Sequence, residues 1–402
     1  MNIAYIVFAE SIFSPILYNQ VINLLKLITN GSKYNIYLLW FCPIKIYVTK
    51  KHDITDLRSN LAKDKVNLHV IPIFYREHWF CAKWYHVPLI YQIIFPIIKL
   101  NKKYNFAILH VRSFPGAIPL HIMARFYGAK IILDTRSDFV SENMLAAWKN
   151  DLLTIKYWKK QENKLYNISK KIVVVSDVYK DEKLSMFNDK VEIIPNNVFI
   201  ASNSAYNNFK YTYRKQKNIL NKIVFCYLGS FNYAWNKIET YIKFFESNLY
   251  LLDNIHFYII TQNKEVVKDI LKTSHVLTGK YTLESVKSED VPEYLSVADI
   301  GLQLMAHQDS RIGIKVVEYL AAGLPVIVNQ NVRGAASIIE KNKLGIVIGN
   351  DYVLPKYKFD ELIKSKDIIS KRCRKFAIDN FSNEAIAQRY IKLYDAIIHN
   401  GE

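Results

Sequence analysis

The sequence has few acidic residues for its number of basic ones. Its 402 residues include 36 aspartates and glutamates against 54 lysines and arginines, a formal charge of +18. Such an excess favours an anionic partner: a nucleic acid, a phosphorylated small molecule or an acidic membrane surface. Nucleic acid is the weakest of these, because the sequence has no zinc-ligand spacing, no RNP-like aromatic motif and no basic heptad region. A lysine-rich solvated surface explains the excess equally well.

Cysteine is also scarce. Cys42, Cys81, Cys226 and Cys373 stand singly, which argues against a disulfide framework or a metal site and fits a reducing compartment. The N-terminal MNIAYIVFAE lacks a basic region before its apolar run, so we expect a buried strand and not a signal peptide. No apolar run reaches the ~18 residues of a membrane-spanning helix. A cytoplasmic protein is therefore expected.

Two phosphate-binding glycine motifs are missing as well. Neither of the strand-like runs IAYIVFA and IVFCYLG is followed by G-x-G-x-x-G, and the chain has no Walker A sequence. These absences argue against a nicotinamide or flavin dehydrogenase and against a P-loop NTPase.

Short apolar runs alternate with amphipathic stretches along most of the chain, for example IAYIVFA, YNIYLLWF, FAILHVR, KIVVVS, KIVFCYLGS and LPVIV. Buried strands alternating with helices predict βαβ units and parallel sheets covered on both faces. The length predicts two such domains, with ligands at the carboxyl ends of the strands. Residues 201–221 are polar and lack this rhythm, so they are interpreted as a linker. We expect an N-terminal domain over 1–200, a C-terminal domain over 222–380, and a final helix over 381–402 that packs back towards the N-terminal domain.

The stretch RIGIKVVEYLAAGLPVIV, residues 311–328, combines a lysine and a glutamate with an apolar helix. The helix is predicted to begin near Gly313 and to end before Gly323. Free N–H groups at its start, a glycine that permits close approach and the charge of Lys315 form an anion site. The carboxylate of Glu318 suits a pair of sugar hydroxyls. Alternatively, Lys315 and Glu318 are a surface ion pair of roughly 0.2–0.5 kcal/mol.

Two N-terminal strands end in polar residues. FAILHVRSFPG carries His110 and Arg112, and IILDTRSDF carries Asp134, Arg136 and Asp138. Neighbouring parallel strands would bring these groups together at the carboxyl edge of the sheet. There the arginines can clamp a phosphate or an anionic acceptor, and His110, Asp134 or Asp138 can accept a proton. A structural network of Arg–Asp ion pairs is the alternative.

Residues 79–104 begin with aromatics, continue with an apolar segment broken by two prolines and end in lysines. This order suits peripheral docking on an anionic membrane. A buried helix of the N-terminal domain with a lysine-rich end fits equally well.

RIGIKVVEYLAAGLPVIV resembles the C-terminal motif of GT-B glycosyltransferases of group 1, the GT4-like family. VPEYLSVADIGLQLM, with Asp299, is similar to the family's helix, alanine–aspartate and strand segment. IIPNNV and KIVVVSDVYKDEKL resemble segments of the family's N-terminal domain. The matches keep the family's order over most of the chain.

The resemblance implies the GT-B fold, with two Rossmann-like doubly wound domains facing a cleft. It implies a nucleoside-diphosphate sugar held mainly by the C-terminal domain, an acceptor held mainly by the N-terminal domain, and retention at the anomeric carbon. No cofactor and no tightly bound metal are expected. The implied donor residues are Gly229, Ser230, Lys237, Ser310, Arg311, Gly313, Ile314, Lys315 and Glu318.

The sequence departs from the family at two places. Ser310 stands where the family has another glutamate, and GSFNYAWNK offers only Lys237 for the usual arginine and lysine. The phosphate role therefore falls to Lys315 and Arg311.

The expected function is transfer of a sugar to a saccharide or lipid-linked acceptor in surface polysaccharide or glycolipid biosynthesis. A GT-B sugar-nucleotide epimerase is one alternative. A non-catalytic, membrane-peripheral assembly protein with a degenerate nucleotide site is another, and Ser310 is its best support.

Overall fold

The computed structural model of the chain describes residues 1–75, 86–136, 138–146, 148, 151–201, 206–231 and 236–399. The chain forms two compact units. The first unit comprises Met1–Pro195 and Asn383–Glu402, and the second unit comprises Asn196–Ser382. The chain thus enters the second unit once and returns to the first for its last helix.

The described part of the first unit contains a seven-stranded sheet in the order β3-β2-β1-β4-β5-β6-β7. Its pairings are all parallel. The central strands are continuous apolar runs because helices cover both faces of the sheet. The strands are β1 Asn2–Phe8, β2 Asn35–Pro43, β3 Val66–Ile73, β4 Phe106–Arg112, β5 Lys130–Asp134, β6 Lys171–Val174 and β7 Val191–Ile193.

The helices of the first unit pack on the two faces of this sheet and form two apolar cores. The last helix joins the face that also carries Val21, Leu24, Leu25 and Ile28, whose helical spacing is evident in the sequence. The α-helices are α1 Pro15–Leu17, α2 Leu24–Asn30, α3 Ile44–Thr49, α4 Lys51–Lys63, α5 His86–Tyr104, α6 Phe114–Ala117, α7 Leu120–Tyr127, α8 Phe139–Ala146, α9 Leu152–Ile168, α10 Asp177–Lys183 and, at the C-terminus, α19 Asn383–His399. A π-helical turn, Tyr18–Asn23, precedes α2, and a 3₁₀ turn spans Ser185–Phe187.

The described part of the second unit contains a six-stranded parallel sheet in the order β10-β9-β8-β11-β12-β13. Its strands are β8 Ile223–Leu228, β9 Ile255–Ile260, β10 Tyr281–Glu284, β11 Ile300–Gln303, β12 Val326–Asn329 and β13 Gly345–Ile348. Its α-helices are α11 Asn207–Gln216, α12 Ile238–Glu246, α13 Lys264–Lys272, α14 Val291–Leu295, α15 Ile314–Ala321, α16 Arg333–Asn342, α17 Lys356–Lys364 and α18 Lys366–Phe381, with a 3₁₀ turn at Leu249–Leu251.

Both sheets have the doubly wound order that the alternating runs predict. In each sheet the chain builds three strands outwards from the centre and then crosses back, which places a topological switch between β1 and β4 and between β8 and β11. Ligands of such sheets bind beyond the carboxyl ends of the strands at the switch. The residues just after these four strands are therefore placed to contact a ligand.

The segment interpreted as a linker differs from the expectation, because part of it is the helix α11 and belongs to the second unit. Arg214 of α11 donates to the carbonyl of Val297 at 2.8 Å and to Asp299 Oδ2 at 2.7 Å. Lys366 of α18 donates to the other oxygen of Asp299 at 2.8 Å. The helix is attached by this buried ion pair and by the packing of Phe209 and Tyr213 on the apolar core. In a segment rich in lysine and asparagine, these few residues gave too weak a signal to predict a helix.

Candidate functional site

In the second unit, the predicted anion-binding helix is α15, and Gly313 is its N-cap residue. Gly323, in the left-handed region at φ +75°, follows its end. A Cβ atom at Gly313 would meet no atom within 4 Å, so the start of the helix is open to a ligand. The N–H groups of the first turn and the positive end of the helix dipole face this opening.

Lys315 lies on the first turn of α15 and reaches to the carboxyl end of β8. Its Nζ donates to the hydroxyl of Tyr227 at 3.0 Å and lies 4.8 Å from the centre of that ring. Gly229, which follows β8, makes room for it: a Cβ there would lie 2.2 Å from Lys315 Cε. Gly229 also has φ +136°, a conformation that favours glycine. Lys315 and Gly229, both implied by the sequence, therefore lie together.

Lys315 and Glu318 are half-buried and form no ion pair within the described chain. Burial lowers the pKa of Lys315 to about 8, against the opposing charge of Glu318. Burial raises the pKa of Glu318 to about 7, against the opposing charge of Lys315. Two desolvated charges that compensate each other only in part, without a hydrogen-bonded ion pair, are unusual for a simple surface pair. They mark a site that a charged or polar ligand would complete.

The loop before α15 contains Arg311 and Ser310, and Ser310 is one of the two places where the sequence departs from the resembled family. Arg311 forms a bidentate ion pair with Asp309, with Nε–Oδ1 and Nη2–Oδ2 distances of 2.8 Å. Its charge is therefore compensated within the loop. The backbone of Ser310 rests on Gly334 of α16, where a Cβ would lie 2.3 Å from the Ser310 carbonyl oxygen. This contact holds the loop close to α16.

The other donor residues lie after β8 and at the start of α15. The hydroxyl of Ser230 donates to Asn263 Oδ1 at 2.7 Å. Lys237 is exposed at the start of α12. Ile314 is the first residue of α15. Asp299 lies away from these groups in the ion-pair cluster with Arg214 and Lys366, so its role is structural.

In the first unit, three predicted residues meet in one buried cluster at the ends of β4 and β5. Asp134 and His110 have no exposed surface, and Arg136 is 9% exposed. Asp134 Oδ2 lies 3.3 Å from His110 Nε2 and accepts from Arg136 Nε at 3.0 Å. Tyr390 of α19 donates to the same oxygen at 2.8 Å, and Tyr394 lies 2.6 Å from His110 Nδ1. The last helix thus completes the cluster.

The charges of this cluster are set by its burial. Burial lowers the pKa of His110, so the ring is neutral; its Nε2 donates to the carboxylate and its Nδ1 accepts from Tyr394. Burial opposes the ionisation of Asp134, but Arg136 and His110 outweigh it and hold the pKa of Asp134 well below its usual range. Without exposed surface, neither His110 nor Asp134 reaches a substrate hydroxyl in this structure. The geometry matches the ion-pair network that the sequence left as an alternative.

Arg112 is positioned differently. Its Nε donates to Glu10 at 3.2 Å and its Nη2 donates to Gln20 at 2.9 Å, while Nη1 has no partner within the described residues. The side chain is 6% exposed. The next residue, Ser113, has φ +75°, a strained value for serine. Arg112 is therefore a fixed and buried guanidinium with one unpaired nitrogen, Nη1, at the switch between β1 and β4.

Asp138 lies further along the same loop. It accepts from the backbone N–H of Ser141 at 3.2 Å and pairs with Lys183 at 3.3 Å. Burial and the charge of Asp138 raise the pKa of the neighbouring Glu162 to about 8. Glu162 lies inside the amphipathic pattern of α9, which gives no sign of this carboxyl pair.

Sequence reasoning missed the partners of these residues, namely Tyr227, Glu10, Gln20, Tyr390 and Tyr394. Only the last two carry a signal, because they are four residues apart on one face of an amphipathic helix. The others come from elements that are distant in sequence from the groups they contact.

The predicted membrane stretch lies partly outside the described residues, which begin again at residue 86 with α5. One face of α5 is buried through Leu89, Ile93 and Ile97. On the opposite face Tyr91 and Phe95 are 54% and 61% exposed and stack at 5.6 Å. A groove of about 450 Å³ between α5, α4 and β3 has Arg58 and Lys99 among its lining residues and no acidic one.

Two features are absent from the described residues. No described helix is long and apolar enough to cross a membrane. Among the same residues, no group of three or more His, Cys, Asp or Glu side chains is arranged to hold a metal ion.

Comparison with known proteins places this geometry in context. Residues 209–379 match the family described as glycosyl transferases group 1. A glycosyltransferase from Rickettsia africae is 16% identical, with a TM-score of 0.69 over 99% of both chains. HepE of Anabaena, solved with UDP, is 12% identical, with a TM-score of 0.65 over 98% of this chain and 100% of that one. WaaG, a glycosyltransferase involved in lipopolysaccharide biosynthesis, is 15% identical, with a TM-score of 0.61 over 97% of this chain and 99% of that one. No curated protein sequence matches the chain.

Because of the buried cluster in the first unit, we expect the free energy of unfolding to fall in acid. Because the pKa of Asp134 is depressed on folding, its contribution is present above its unfolded pKa of about 3.9 and is lost as the pH falls below that value. Asp134→Asn leaves Arg136 buried without a counter-charge and is expected to cost about 3 kcal/mol at neutral pH. Its free energy of unfolding should fall less steeply in acid than that of the wild type.

Urea unfolding between neutral pH and pH 3 measures both effects. Asp360→Asn, which removes one partner of the exposed pair with Lys356, is the matched control and should change stability by less than about 0.5 kcal/mol. Equal acid dependence in Asp134→Asn and the wild type would contradict the assignment.

Proposed function

We propose that this chain, a group 1 glycosyltransferase with the GT-B fold, transfers a sugar from a nucleoside-diphosphate sugar to a saccharide or lipid-linked acceptor. The proposal places it in surface polysaccharide or glycolipid biosynthesis, with retention at the anomeric carbon. The observation that carries it is Lys315 at the open start of α15, beside Gly229, without an ion-pair partner among the described residues. HepE, which has the same fold, has been solved with UDP-glucose.

In this proposal the diphosphate binds at the start of α15. Gly313 leaves room for it, and the N–H groups of Ile314 and Lys315 donate to its oxygens. The ammonium of Lys315 adds a charge-assisted hydrogen bond. Arg311, already paired with Asp309, shapes the loop and adds little net charge. Ser230 and Lys237 border the same site from the loop after β8.

Glu318 lies one turn after Lys315 and is proposed to accept hydrogen bonds from the two ribose hydroxyls. An ionised carboxylate only accepts hydrogen bonds, so it suits a diol and not a phosphate. Ser310 is proposed to approach the donor sugar with a hydroxyl, in the place where the family has a carboxylate.

The acceptor is proposed to bind at the first unit, where the carboxylate of Asp138 is available as a contact. The buried guanidinium of Arg112 contributes positive charge at the end of β4. His110, Asp134 and Arg136 are assigned a positioning role because they are enclosed.

Transfer breaks the bond between the anomeric carbon and the diphosphate oxygen and forms a bond to the acceptor oxygen. The acceptor's proton passes to the leaving diphosphate, whose negative charge Lys315 stabilises. The proposal contains no resident metal or cofactor.

We also propose that the protein acts at the cytoplasmic face of a membrane and docks there through residues 79–104. Tyr91 and Phe95 supply an exposed aromatic patch on α5. Lys99 and Lys102 follow it along the same helix and suit anionic headgroups. Such docking would bring the enzyme to a lipid-linked acceptor.

Substitution of the donor residues tests the proposed reaction. Lys315→Ala and Glu318→Ala should abolish transfer and leave the fold intact, since neither has a structural ion-pair partner within the described residues. Loss of a hydrogen bond to a charged group should weaken nucleoside-diphosphate binding by about tenfold to a hundredfold for Lys315→Ala. A thermal-shift screen of nucleoside diphosphates selects the donor, and product formation measures transfer.

Glu340→Ala and Lys341→Ala, exposed on α16, are matched controls and should transfer sugar as the wild type does. Unchanged transfer in both Lys315→Ala and Glu318→Ala would refute the donor site.

The half-buried charges also predict a pH dependence. In the free protein Lys315 loses its proton above a pH of about 8, and a bound diphosphate would restore it, so binding takes up a proton in that range. The dissociation constant should therefore rise with pH above 8, by at most about tenfold per unit. Below pH 7, protonation of Glu318 should weaken binding from the acid side.

Calorimetric titration with the selected nucleotide between pH 6 and pH 9.5, in buffers of different ionisation enthalpy, gives the affinity and the proton uptake. The rise of the dissociation constant above pH 8, here called the alkaline limb, should vanish in Lys315→Ala. An alkaline limb that persists in that variant would assign the proton to another group.

Membrane docking has its own test. Wild-type protein should co-sediment with phosphatidylcholine vesicles that contain phosphatidylglycerol, and salt should release it. Tyr91→Ser with Phe95→Ser, and separately Lys99→Glu with Lys102→Glu, should reduce binding. Lys341→Glu with Lys371→Glu, exposed on the second unit, is the charge-matched control. Binding that is insensitive to salt, or equally reduced by the control, would remove this part of the proposal.

A further inference from the structure

Lys315 is fixed by a single aromatic residue, Tyr227, at the carboxyl end of β8. The ammonium group both donates to the Tyr227 hydroxyl at 3.0 Å and lies 4.8 Å from the centre of the ring. A lysine side chain normally has large rotational freedom, because four single bonds separate its charge from the backbone. Two contacts with one residue remove much of that freedom.

Tyr227 is itself immobilised. Its side chain has no exposed surface, its ring stacks on Phe231 at 4.2 Å, and it meets Tyr241 edge-on at 4.7 Å. Its hydroxyl donates to the carbonyl oxygen of Ser230 at 3.1 Å. The position of this hydroxyl is thus set by the packing of the β-strand and of the loop that follows it.

The hydroxyl of Tyr227 donates one hydrogen bond and accepts another. A phenol has one proton, and the Ser230 carbonyl, which is only an acceptor, takes it. The lone pairs of the hydroxyl therefore face Lys315, which supplies one of its three protons. The other two N–H groups remain available for a ligand.

We propose that Tyr227 is a positioning residue that presets Lys315 for the donor diphosphate and links it to the loop after β8. This inference rests on the proposed function, since it assumes that Lys315 binds that diphosphate. Presetting matters because a lysine that is already ordered loses less conformational entropy when the ligand binds. The hydroxyl does not itself touch the donor.

Gly229 is the other half of the arrangement. The lysine stem crosses its Cα so closely that a Cβ would lie 2.2 Å from Lys315 Cε and 2.6 Å from Nζ. A side chain at this position would push the ammonium away from Tyr227. Gly279 is a matched comparison in the same unit, since it also has positive φ but no atom lies within 4 Å of its Cβ position.

The first experiment is Tyr227→Phe, which keeps the ring and removes the hydroxyl. The dissociation constant for the selected nucleoside diphosphate should rise about three- to tenfold, the usual effect of one hydrogen bond. KM for the donor should rise to a similar extent, while kcat at saturating donor changes little. The alkaline limb of binding should move to lower pH, because the ammonium loses a partner that stabilises its charge.

A double-mutant cycle separates positioning from structural damage. In the Lys315→Ala background, Tyr227→Phe should weaken binding no further. Gly229→Ala should mimic Lys315→Ala, whereas Gly279→Ala should bind as the wild type does. Tyr250→Phe, which removes another tyrosine hydrogen bond of this unit, to the Leu354 carbonyl, is the control for loss of a hydroxyl.

The outcomes distinguish failure of the proposed donor site from failure of the role of Tyr227. If the wild type binds no nucleoside diphosphate, the proposed function and this inference fall together. If Lys315→Ala loses binding but Tyr227→Phe binds as the wild type does, only this inference is overturned. Equal effects of Tyr227→Phe with and without Lys315, or an alkaline limb that does not move, would also overturn it, since both indicate structural damage alone.

Discussion

The pairing of buried charge organises both units. A charge taken out of water needs an opposite charge and hydrogen bonds, or the group neutralises. Asp134 with Arg136, Arg112 with Glu10, and Asp299 with Arg214 obey this rule. Each of these pairs ties a strand end to a helix or loop, so the parallel sheets and their outer elements are joined by ion pairs as well as by apolar contacts.

Lys315 and Glu318 are the informative exceptions. They are half-buried three residues apart on one helix, yet no ion pair forms between them in the described chain. Lys315 turns instead to Tyr227 and to the space above Gly229. A structural pair would have closed on itself, as Arg311 and Asp309 do two residues apart in the loop before the helix. The open pair therefore favours the proposed ligand site over a structural ion pair, although both contain the same residue types.

Patterns within a short window of sequence predicted much of this architecture. Apolar runs gave the strands, and Gly313 and Gly323 gave the limits of α15. The polar ends of β4 and β5 predicted a cluster at one sheet edge, because neighbouring parallel strands must place their ends together. The partners in that cluster were not predictable, because Tyr390 and Tyr394 approach from a helix more than 250 residues further along the chain. The helix α11 was missed because Phe209 and Tyr213, which pack on the core, stand in a segment rich in lysine and asparagine, and the neighbouring attachment, Arg214, is polar.

The loop before α15 offers a donor sugar little charge. A carboxylate at position 310 would accept two hydrogen bonds from neighbouring hydroxyls, whereas the side chain of Ser310 is a single hydroxyl. The charge of the adjacent carboxylate, Asp309, is compensated by Arg311, which donates to both of its oxygens. Gly334 keeps the Ser310 backbone close to α16, so the loop is well placed but carries little charge of its own. In the proposed donor site the diphosphate and the ribose thus have charged partners on α15. We therefore expect selection among donor sugars to depend on hydroxyl and backbone contacts, which discriminate by shape more than by charge.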